Sequence, residues 1–257
     1  MSPRRDVAGG FMGLSITVLG CSGSYSGPGL ACTGYLVESE STRVWLDAGP
    51  GTLANLQRHR QLTEIDAIVV THEHPDHWLD LAMAYIACRY FLDRGPMPVY
   101  GTAGTHALAR ALAGANDLAP TIDWRTISDG DGATIGDQQW RFSRTDHPVE
   151  TLAPRVDSGG RSFAFSADTG DGWSFDRLGD DIDLALCEAT FLHRDLVPPS
   201  PHLSAMQAGA MAADAGVGRL LLTHLAPGSD AAAFQREVTE AFGAPVELVD
   251  VNRRYEV

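Results

Sequence analysis

The sequence predicts an α/β fold in which two β-sheets pack face to face and helices cover them on the outside. Short apolar runs rich in β-branched residues, typical of strands, occur in both halves of the chain. Helical patterns lie between these runs, and no internal repeat or long Pro- or Ser-rich linker interrupts them. We therefore expect one domain over residues 14–257, preceded by a loose N-terminal segment at residues 1–13.

The candidate elements follow one another along the chain. The strand candidates of the first half are SITVLG, GYLVES, TRVWLDAG, DAIVVTH, PVYG and TIDWRTIS. Residues 129–147, with their Asp-Gly pairs, predict a hairpin. The later strand candidates are RSFAFSADTG, DLALCEAT, RLLLTH and PVELVDV. Apolar residues at helical spacing predict helices over 78–92, 203–216 and about 230–242.

The composition narrows the possible functions. The 257 residues carry 33 acidic side chains against 19 arginines and no lysine, a net charge of −14. The lack of lysine excludes Schiff-base chemistry and the lysine of a P-loop. So negative a chain is also a poor match for a nucleic-acid backbone, which proteins bind mainly through clustered Lys and Arg.

The cysteines and apolar runs indicate the cellular setting. Cys21, Cys32, Cys88 and Cys187 are scattered and form no CxxC pair, which argues against a structural zinc site or a disulfide scaffold. The two arginines near the start precede no apolar run of signal-peptide length. The most apolar stretch, residues 78–92, is too short to span a bilayer. We expect a cytoplasmic protein with no membrane association.

The strongest chemical signal is the segment THEHPDH at residues 71–77. It follows a predicted buried strand and offers His72, His74, Asp76 and His77. Alternating residues of an extended loop point the same way, so His72 and His74 can share one metal while Asp76 and His77 face a neighbouring position. Imidazole and carboxylate are ligands that zinc prefers.

This segment resembles the His-x-His-x-Asp-His signature of the metallo-β-lactamase superfamily. The resemblance runs from about residue 15 to the C-terminus and implies an αββα sandwich of two mixed sheets with the helices outside. Further family positions match His147 in RTDHPVE, Asp168 in SADTG, where Ala167 replaces a glycine, and His224 in LLTHLAPG. Asp47 in WLDAGP matches an early aspartate that resembles a support for ligands more than a ligand.

The resemblance implies a pair of divalent metal ions, zinc in the first place, with manganese or iron as alternatives. The implied ligands of one ion are His72, His74 and His147. Those of the other are Asp76, His77 and His224, and Asp168 would bridge the two ions. Such a site leaves room for a shared hydroxide, which a catalytic centre needs and a structural one does not.

Two segments resemble the ribonuclease Z group within this superfamily. CEATF at residues 187–191 resembles its His-Glu-Ala-Thr-Phe segment with Cys187 in place of the histidine, and PHLSAMQAG at 201–209 resembles the segment that follows. In that group the glutamate orients a histidine beside the scissile phosphate. Glu188 and His202 are therefore the candidate catalytic pair, with Asp76 also counted as catalytic.

These features favour a phosphodiesterase acting on a small phosphodiester, such as a cyclic nucleotide, through attack of a metal-bridging hydroxide. A carboxylic ester, lactone or β-lactam hydrolase is the alternative. A tRNA 3′-processing endonuclease fits less well, because only about twenty residues separate His147 from Asp168, where that group carries a long basic arm. A di-iron oxidoreductase and an inactive binding relative are the remaining possibilities. The expected partner is a small-molecule substrate, with no stable nucleic-acid partner and with a homodimer possible.

Other segments remain open. The glycine-rich loop at residues 20–29 is either a flexible connection, which we favour, or a place where backbone amides approach a phosphate. Trp78 is expected to pack inside, although its position directly after the metal segment also suits a pocket wall. His59 is expected on a solvated helix face, and His193 near CEATF is a weaker candidate for the pocket.

Overall fold

The computed structural model describes residues 13–112 and 118–257. The first sheet consists of β1 (Ser15–Gly20), β2 (Gly34–Glu38), β3 (Arg43–Leu46), β4 (Ala67–Val70), β5 (Met97–Gly101), β6 (Ile122–Thr126) and β14 (Arg254–Glu256). Their order is β14-β1-β2-β3-β4-β5-β6. The pairs from β14 to β3 are antiparallel and those from β3 to β6 are parallel, so the sheet is mixed.

The second sheet mirrors this arrangement. It consists of β7 (Gly132–Ile135), β8 (Gln138–Arg144), β9 (Leu152–Ser158), β10 (Arg161–Phe165), β11 (Leu184–Glu188), β12 (Arg219–Thr223) and β13 (Glu247–Leu248). Their order is β13-β12-β11-β10-β9-β8-β7. The pairs from β13 to β10 are parallel and those from β10 to β7 antiparallel, so this sheet is mixed as well.

In the part of the chain that the structure describes, six α-helices lie outside the sheets. They are α1 (Thr52–Leu56), α2 (Pro75–Trp78), α3 (Asp80–Tyr90), α4 (Ala103–Leu112), α5 (Ala205–Asp214) and α6 (Ala231–Phe242). Residues of α1, α3 and α4 pack on the outer face of the first sheet, and residues of α5 and α6 on that of the second. A third apolar cluster, with Val69 and Leu186 among its members, fills the space between the sheets. The predicted αββα sandwich is confirmed.

The buried parallel strands explain why the metal segment lies where it does. All four residues of β4 are buried, as are all five of β11, which is typical of parallel strands covered on both faces. Such strands read as continuous apolar runs, and polar residues appear only where they end. In open α/β sheets, ligands bind outside the carboxyl ends of the parallel strands.

The structure differs from the sequence prediction in several elements. The predicted helix over 78–92 begins earlier and is divided, with α2 ending at Trp78 and α3 beginning at Asp80. Strand β9 was not predicted, because a proline is unfavourable within a sheet. Pro154 pairs with Phe142 of β8, and the recorded pairing of β9 with β10 begins at Arg155. The strand β14 and the helices α1 and α4 were also missed.

The hairpin of β7 and β8 is present, but its turn is not at the Asp-Gly pairs. Ile135 pairs with Gln138, so Gly136 and Asp137 form a two-residue turn, and Gly136 has φ +56°. A left-handed conformation of this kind favours glycine. Asp137 accepts hydrogen bonds from the hydroxyls of Ser39 and Ser41, which fixes the turn onto the neighbouring sheet.

Two remaining predictions concern the terminus and the membrane. The segment predicted to be loose, residues 1–13, lies outside the described residues except for its last member. Within residues 13–112 and 118–257, none of the helices is both long and apolar enough to cross a membrane.

Candidate metal centre

The THEHPDH segment turns from strand to helix within its own length. His72 follows β4 after one residue, and His74 is still extended, with φ −69° and ψ 138°, as the N-cap of α2. Pro75 then occupies the first helical position, which suits its fixed φ and missing N–H. The expectation of an extended loop therefore holds only as far as His74, because Asp76 and His77 lie on the first turn of a helix.

Three histidines and a carboxylate form the first ligand group. His74 Nδ1 lies 3.2 Å from His72 Nε2 and 3.1 Å from His147 Nε2. Asp168 Oδ2 lies 3.5 Å from His72 Nε2. His72, His74, His147 and Asp168 present ligand atoms that all lie within 4.8 Å of one another.

The second group lies directly beside the first. Asp76 Oδ2 is 3.6 Å from His77 Nε2 and 3.4 Å from His224 Nε2, and these three residues form a second set of potential ligands. Asp168 Oδ1 is 3.3 Å from His77 Nε2 and 3.4 Å from His224 Nε2. The two oxygens of Asp168 thus face different groups, the arrangement that a bridging carboxylate requires. All seven candidate ligands are brought together.

The hydrogen-bond partners of these buried nitrogen and oxygen atoms show that a cation fits between the side chains. His147 Nδ1 donates to the carbonyl oxygen of Pro201 at 2.9 Å, so in the neutral ring its Nε2 carries a lone pair that faces His74. His77 Nε2 and Asp168 Oδ1 are buried and have no hydrogen-bond partner among the described residues. Converging lone pairs and unpartnered buried atoms are unfavourable unless a positive charge lies among them.

The electrostatics divide the candidate ligands into two kinds. Burial lowers the pKa of His147 to about 4 and holds that of His72 well below its usual range, so both rings stay neutral. Burial opposes the charged form of His77 and His224, but the surrounding carboxylates outweigh it and raise the pKa of both rings, so metal binding there would release protons. Burial alone would raise the pKa of Asp168, but His224, His77 and His72 hold it well below its usual range. Neutral imidazole and ionised carboxylate are the forms in which these side chains bind metal.

The backbone is strained where the ligands emerge. Ala167 has φ +49°, Asp47 φ +55° and His224 φ +63°, which costs about 1–3 kcal/mol at a residue with a side chain. A glycine would avoid this cost, which explains why the family prefers glycine where this chain has Ala167. Each strained residue lies just past the end of a strand and turns a side chain toward the same edge of the sandwich.

Asp47 lies behind the ligands. It is fully buried and accepts a hydrogen bond from the Thr71 backbone N–H at 2.8 Å, another from the Thr71 hydroxyl at 2.9 Å and a third from His77 Nδ1 at 2.7 Å. Burial raises its pKa, although His77 and Thr71 favour its ionised form. Asp47 fixes the ring of His77 so that Nε2 points at Asp168 and Asp76.

Glu188 and His202 form a pair beside the ligand groups. Glu188, at the end of β11, is fully buried, and its Oε1 accepts hydrogen bonds from His202 Nδ1 and the Thr169 N–H, each at 2.9 Å. Burial opposes the charge on His202, but Glu188 overcomes this effect and raises the pKa of His202 to about 9. The His202 ring contacts those of His147 and His224, with centroids 5.3 and 5.4 Å away.

His202 also lies near enough to Asp168 and His224 to complete a third possible ligand group. Its Nδ1 is 4.0 Å from Asp168 Oδ2 but only 2.9 Å from Glu188 Oε1. The shorter distance is a hydrogen bond, which occupies Nδ1 and leaves Nε2 free. This geometry favours a histidine that acts on a substrate over a third ligand.

The other residues that the sequence singled out, in the glycine-rich loop, at Trp78 and at the remaining histidines, are not among the candidate ligands. In the glycine-rich loop, the Ser24 N–H donates to Asp76 Oδ2 at 2.9 Å, so the loop supports a candidate ligand. Trp78 is buried and its indole N–H donates to the carbonyl oxygen of Glu73. His59 bonds Asn252 and His193 bonds Ser204, whereas His106 stacks on Trp124.

Sequence reasoning missed the hydroxyls that connect the ligands to the buried carboxylates. Thr71 lies between His72 and Asp47, and Thr190 lies between His224 and Glu188. Each threonine stands inside a quoted motif, directly before His72 or two residues after Glu188. That position marks the two threonines as neighbours of site residues, but their contacts with Asp47 and His224 follow only from the fold.

The chain is similar to several known proteins. A family model described as the beta-lactamase superfamily domain matches residues 42–225. The uncharacterized protein Rv1339 of Mycobacterium tuberculosis is 34% identical over 265 residues, covering 99% of this chain and 97% of that protein. A ribonuclease Z of Mycobacterium bovis is 29% identical over 252 residues, covering 83% of this chain and 86% of the enzyme.

One relative is similar in both sequence and structure. The probable metallo-hydrolase YhfI of Bacillus subtilis is 30% identical over 227 residues, covering 82% of this chain and 87% of YhfI. Its crystal structure, described as that of a metallo-beta-lactamase fold protein, superposes with a TM-score of 0.86 at 26% identity, covering 95% of this chain and 99% of that chain. Since the family model spans most of the chain and the fold and ligand geometry agree with it, this protein belongs to the metallo-β-lactamase superfamily and is a metal-dependent hydrolase.

Proposed function

We propose that this hydrolase cleaves a small phosphodiester, in the first place a cyclic nucleotide, at a site for two divalent ions. The ions, zinc by preference, would be held by His72, His74 and His147 on one side and by Asp76, His77 and His224 on the other, with Asp168 between them. Such ions supply Lewis acidity, which lowers the pKa of water and offsets charge on a phosphoryl group.

The observation that carries this proposal is the Glu188–His202 pair. Cleavage of a phosphodiester expels an alkoxide, a poor leaving group that needs a proton. His202 Nε2 is free to donate that proton, because Nδ1 is held by Glu188 Oε1 at 2.9 Å. General acid catalysis of this kind contributes ~10²–10⁴-fold to a rate.

Two further features favour a small substrate over an RNA. The segment between His147 and Asp168 is occupied by β9 and β10, which are joined by the short turn at Gly159 and Gly160, so it contains no projecting arm. A net charge of −14 also opposes binding of a long phosphate backbone. We accordingly propose a cytoplasmic enzyme without a stable nucleic-acid or membrane partner, and light scattering would decide whether it is a homodimer.

A variant that removes the acid and keeps the ligands tests the proposal. His202→Ala should retain its metal and lose ~10²–10⁴-fold in kcat on 3′,5′-cyclic AMP. The loss should be much smaller on bis-p-nitrophenyl phosphate, because p-nitrophenolate leaves without protonation. His59→Ala, which removes a partly buried imidazole that hydrogen-bonds Asn252 away from the candidate ligands, is the matched control and should behave as the wild type.

Other outcomes would contradict the proposal. Equal losses on both substrates would show that His202 does not act as an acid, and a loss of metal would make it a ligand. If the metal-loaded wild type cleaves a lactone or carboxylic ester far faster than any phosphodiester, the alternative hydrolase is the correct one.

A further inference from the structure

The side-chain hydroxyl of Thr190 lies between His224, a candidate metal ligand, and Glu188, the hydrogen-bond partner of His202. Its oxygen is 3.2 Å from His224 Nδ1 and 3.2 Å from Glu188 Oε2. The direct distance between His224 Nδ1 and Glu188 Oε2 is 4.0 Å, too long for a hydrogen bond. The connection between the metal group and the Glu188–His202 pair therefore passes through this hydroxyl.

The direction of each hydrogen bond in this chain follows from what the end groups can do. His224 Nε2 faces the carboxylates of Asp76 and Asp168, where a cation would sit, so Nδ1 carries the ring proton and donates it to Thr190. Thr190 then has one proton to give, and the carboxylate oxygen Glu188 Oε2, at 3.2 Å, is a closer and stronger acceptor for it than the His224 carbonyl oxygen at 3.5 Å. Glu188 Oε1 accepts from His202, which leaves the hydrogen bonds pointing toward Glu188 from both ends.

The backbone of Thr190 is also hydrogen-bonded to the segment that carries His202. Its N–H donates to the carbonyl oxygen of Leu203 at 3.1 Å, in the segment that carries His202. Phe191 and Ser204 continue this contact as an isolated bridge, and Ser204 then caps α5 together with Gln207. The hydroxyl of Thr190 is thus held at a defined position relative to His202, and its placement is not left to a mobile loop side chain.

We propose that Thr190 is a positioning residue that couples the metal site to the proton donor, fixing the ring of His224 for metal binding and, through Glu188, the ring of His202 for catalysis. Without the hydroxyl, His224 loses the acceptor that keeps its proton on Nδ1. Glu188 loses one of the donors that hold its carboxylate in place for His202. A single substitution of Thr190 should therefore weaken both metal affinity, which otherwise depends on the ligands, and turnover, which otherwise depends on Glu188 and His202.

Three variants test this coupling. Thr190→Val keeps the shape and removes the hydroxyl, whereas Thr190→Ser keeps the hydroxyl and removes a methyl. Thr223→Val is the control, because Thr223 is a threonine at the same edge, directly before His224, whose hydroxyl bonds the Tyr35 hydroxyl at 2.6 Å and not a candidate ligand. The melting temperature of each metal-free variant, compared with that of the metal-free wild type, measures how far the substitution itself destabilises the fold.

The first readout is Zn²⁺ affinity, measured by competition with a chromophoric chelator. Thr190→Val should lose ~10–100-fold in affinity, the usual effect of removing a partner of a ligating histidine. Thr190→Ser and Thr223→Val should bind Zn²⁺ within about threefold of the wild type, well short of that range. This measurement requires no substrate, so it stands whether or not the proposed phosphodiesterase activity is correct.

The second readout rests on the proposed function. At saturating Zn²⁺, Thr190→Val should lose ~10–100-fold in kcat on cyclic AMP, within the range for a misplaced catalytic group, and less on bis-p-nitrophenyl phosphate. Unchanged Zn²⁺ affinity in Thr190→Val, or an equal loss in Thr190→Ser, would overturn the coupling. Weakened Zn²⁺ binding with equal losses on both phosphodiesters would confine Thr190 to the metal site and count against His202 as the acid.

Discussion

Replacing Asp47 by Asn should weaken metal binding while leaving every candidate ligand in place. Three donors face the Asp47 carboxylate: the Thr71 N–H, the Thr71 hydroxyl and His77 Nδ1. An amide of the same shape offers one oxygen and one NH2 group. Whichever way it is turned, its NH2 group therefore meets a donor.

The size of the effect follows from that conflict. Losing one hydrogen bond to a charged group costs ~1.5–3 kcal/mol. If the cost falls on the metal-binding form of His77, it corresponds to roughly 10–160-fold in affinity at ~1.4 kcal/mol per decade. This range agrees with the ~10–100-fold typical for partners of metal-ligating histidines.

Zn²⁺ titration of the metal-free protein against a chromophoric chelator measures the loss directly. Asp137→Asn is the matched control, because Asp137 also accepts several hydrogen bonds but lies on the β7–β8 turn. A threefold change or less in Asp47→Asn would refute the argument that this carboxylate orients His77. A loss as complete as that of Asp168→Ala would make Asp47 a ligand.

Three further results are expected. Asp168→Ala should abolish hydrolysis and lower the metal content below the two ions per chain that elemental analysis should find in the wild type, since both its oxygens face ligand groups. Gly49→Ala should destabilise the protein by ~1–3 kcal/mol in chemical unfolding, because the added methyl would overlap the Asp76 carbonyl oxygen and lie 2.7 Å from that of Thr33. The hydroxyls of Thr42, Ser39 and Ser41 outweigh burial and lower the pKa of Asp137 to about 2. The stability that Asp137 contributes is therefore present above its unfolded pKa, near 4, and lost as the pH falls toward 2, so the difference in unfolding free energy from Asp137→Asn should shrink over that interval.

The fold and the candidate ligands could be predicted from the sequence for a physical reason. Parallel strands buried on both faces must be apolar, so β4, β11 and β12 stand out in the sequence and the polar residues at their ends mark the functional edge. His147, Asp168 and His224 are far apart in sequence. The order of the family motifs, the approximate distance to His147 and the position of each residue at a strand end connected them to THEHPDH.

Other features could not be read from the sequence. Strand β9 contains Pro154, a residue that argues against a strand, and only the structure shows that it pairs with Phe142 of β8. The hydroxyl bridges of Thr71 and Thr190 depend on distances of about 3 Å to Asp47 and His224, which come from other segments of the chain. A sequence names the residue at each position but not the rotamer or the loop path that brings two side chains within hydrogen-bond distance.

The strain and the unpartnered atoms of the centre together predict that metal binding contributes to the stability of the fold. Asp47, Ala167 and His224 hold left-handed backbone conformations. His77 Nε2 and Asp168 Oδ1 are buried and have no hydrogen-bond partner within residues 13–112 and 118–257. Each feature is unfavourable in the metal-free protein, and a cation at this edge offsets the cost of the unpartnered atoms. Free Zn²⁺ at 100 times the dissociation constant should stabilise the fold by ~2.7 kcal/mol per site, or roughly 5–10 °C in melting temperature. Calorimetry before and after chelation measures this shift, and Asp168→Ala should show little of it. An equal melting temperature with and without Zn²⁺ would mean that the strained edge is stabilised by the surrounding packing alone.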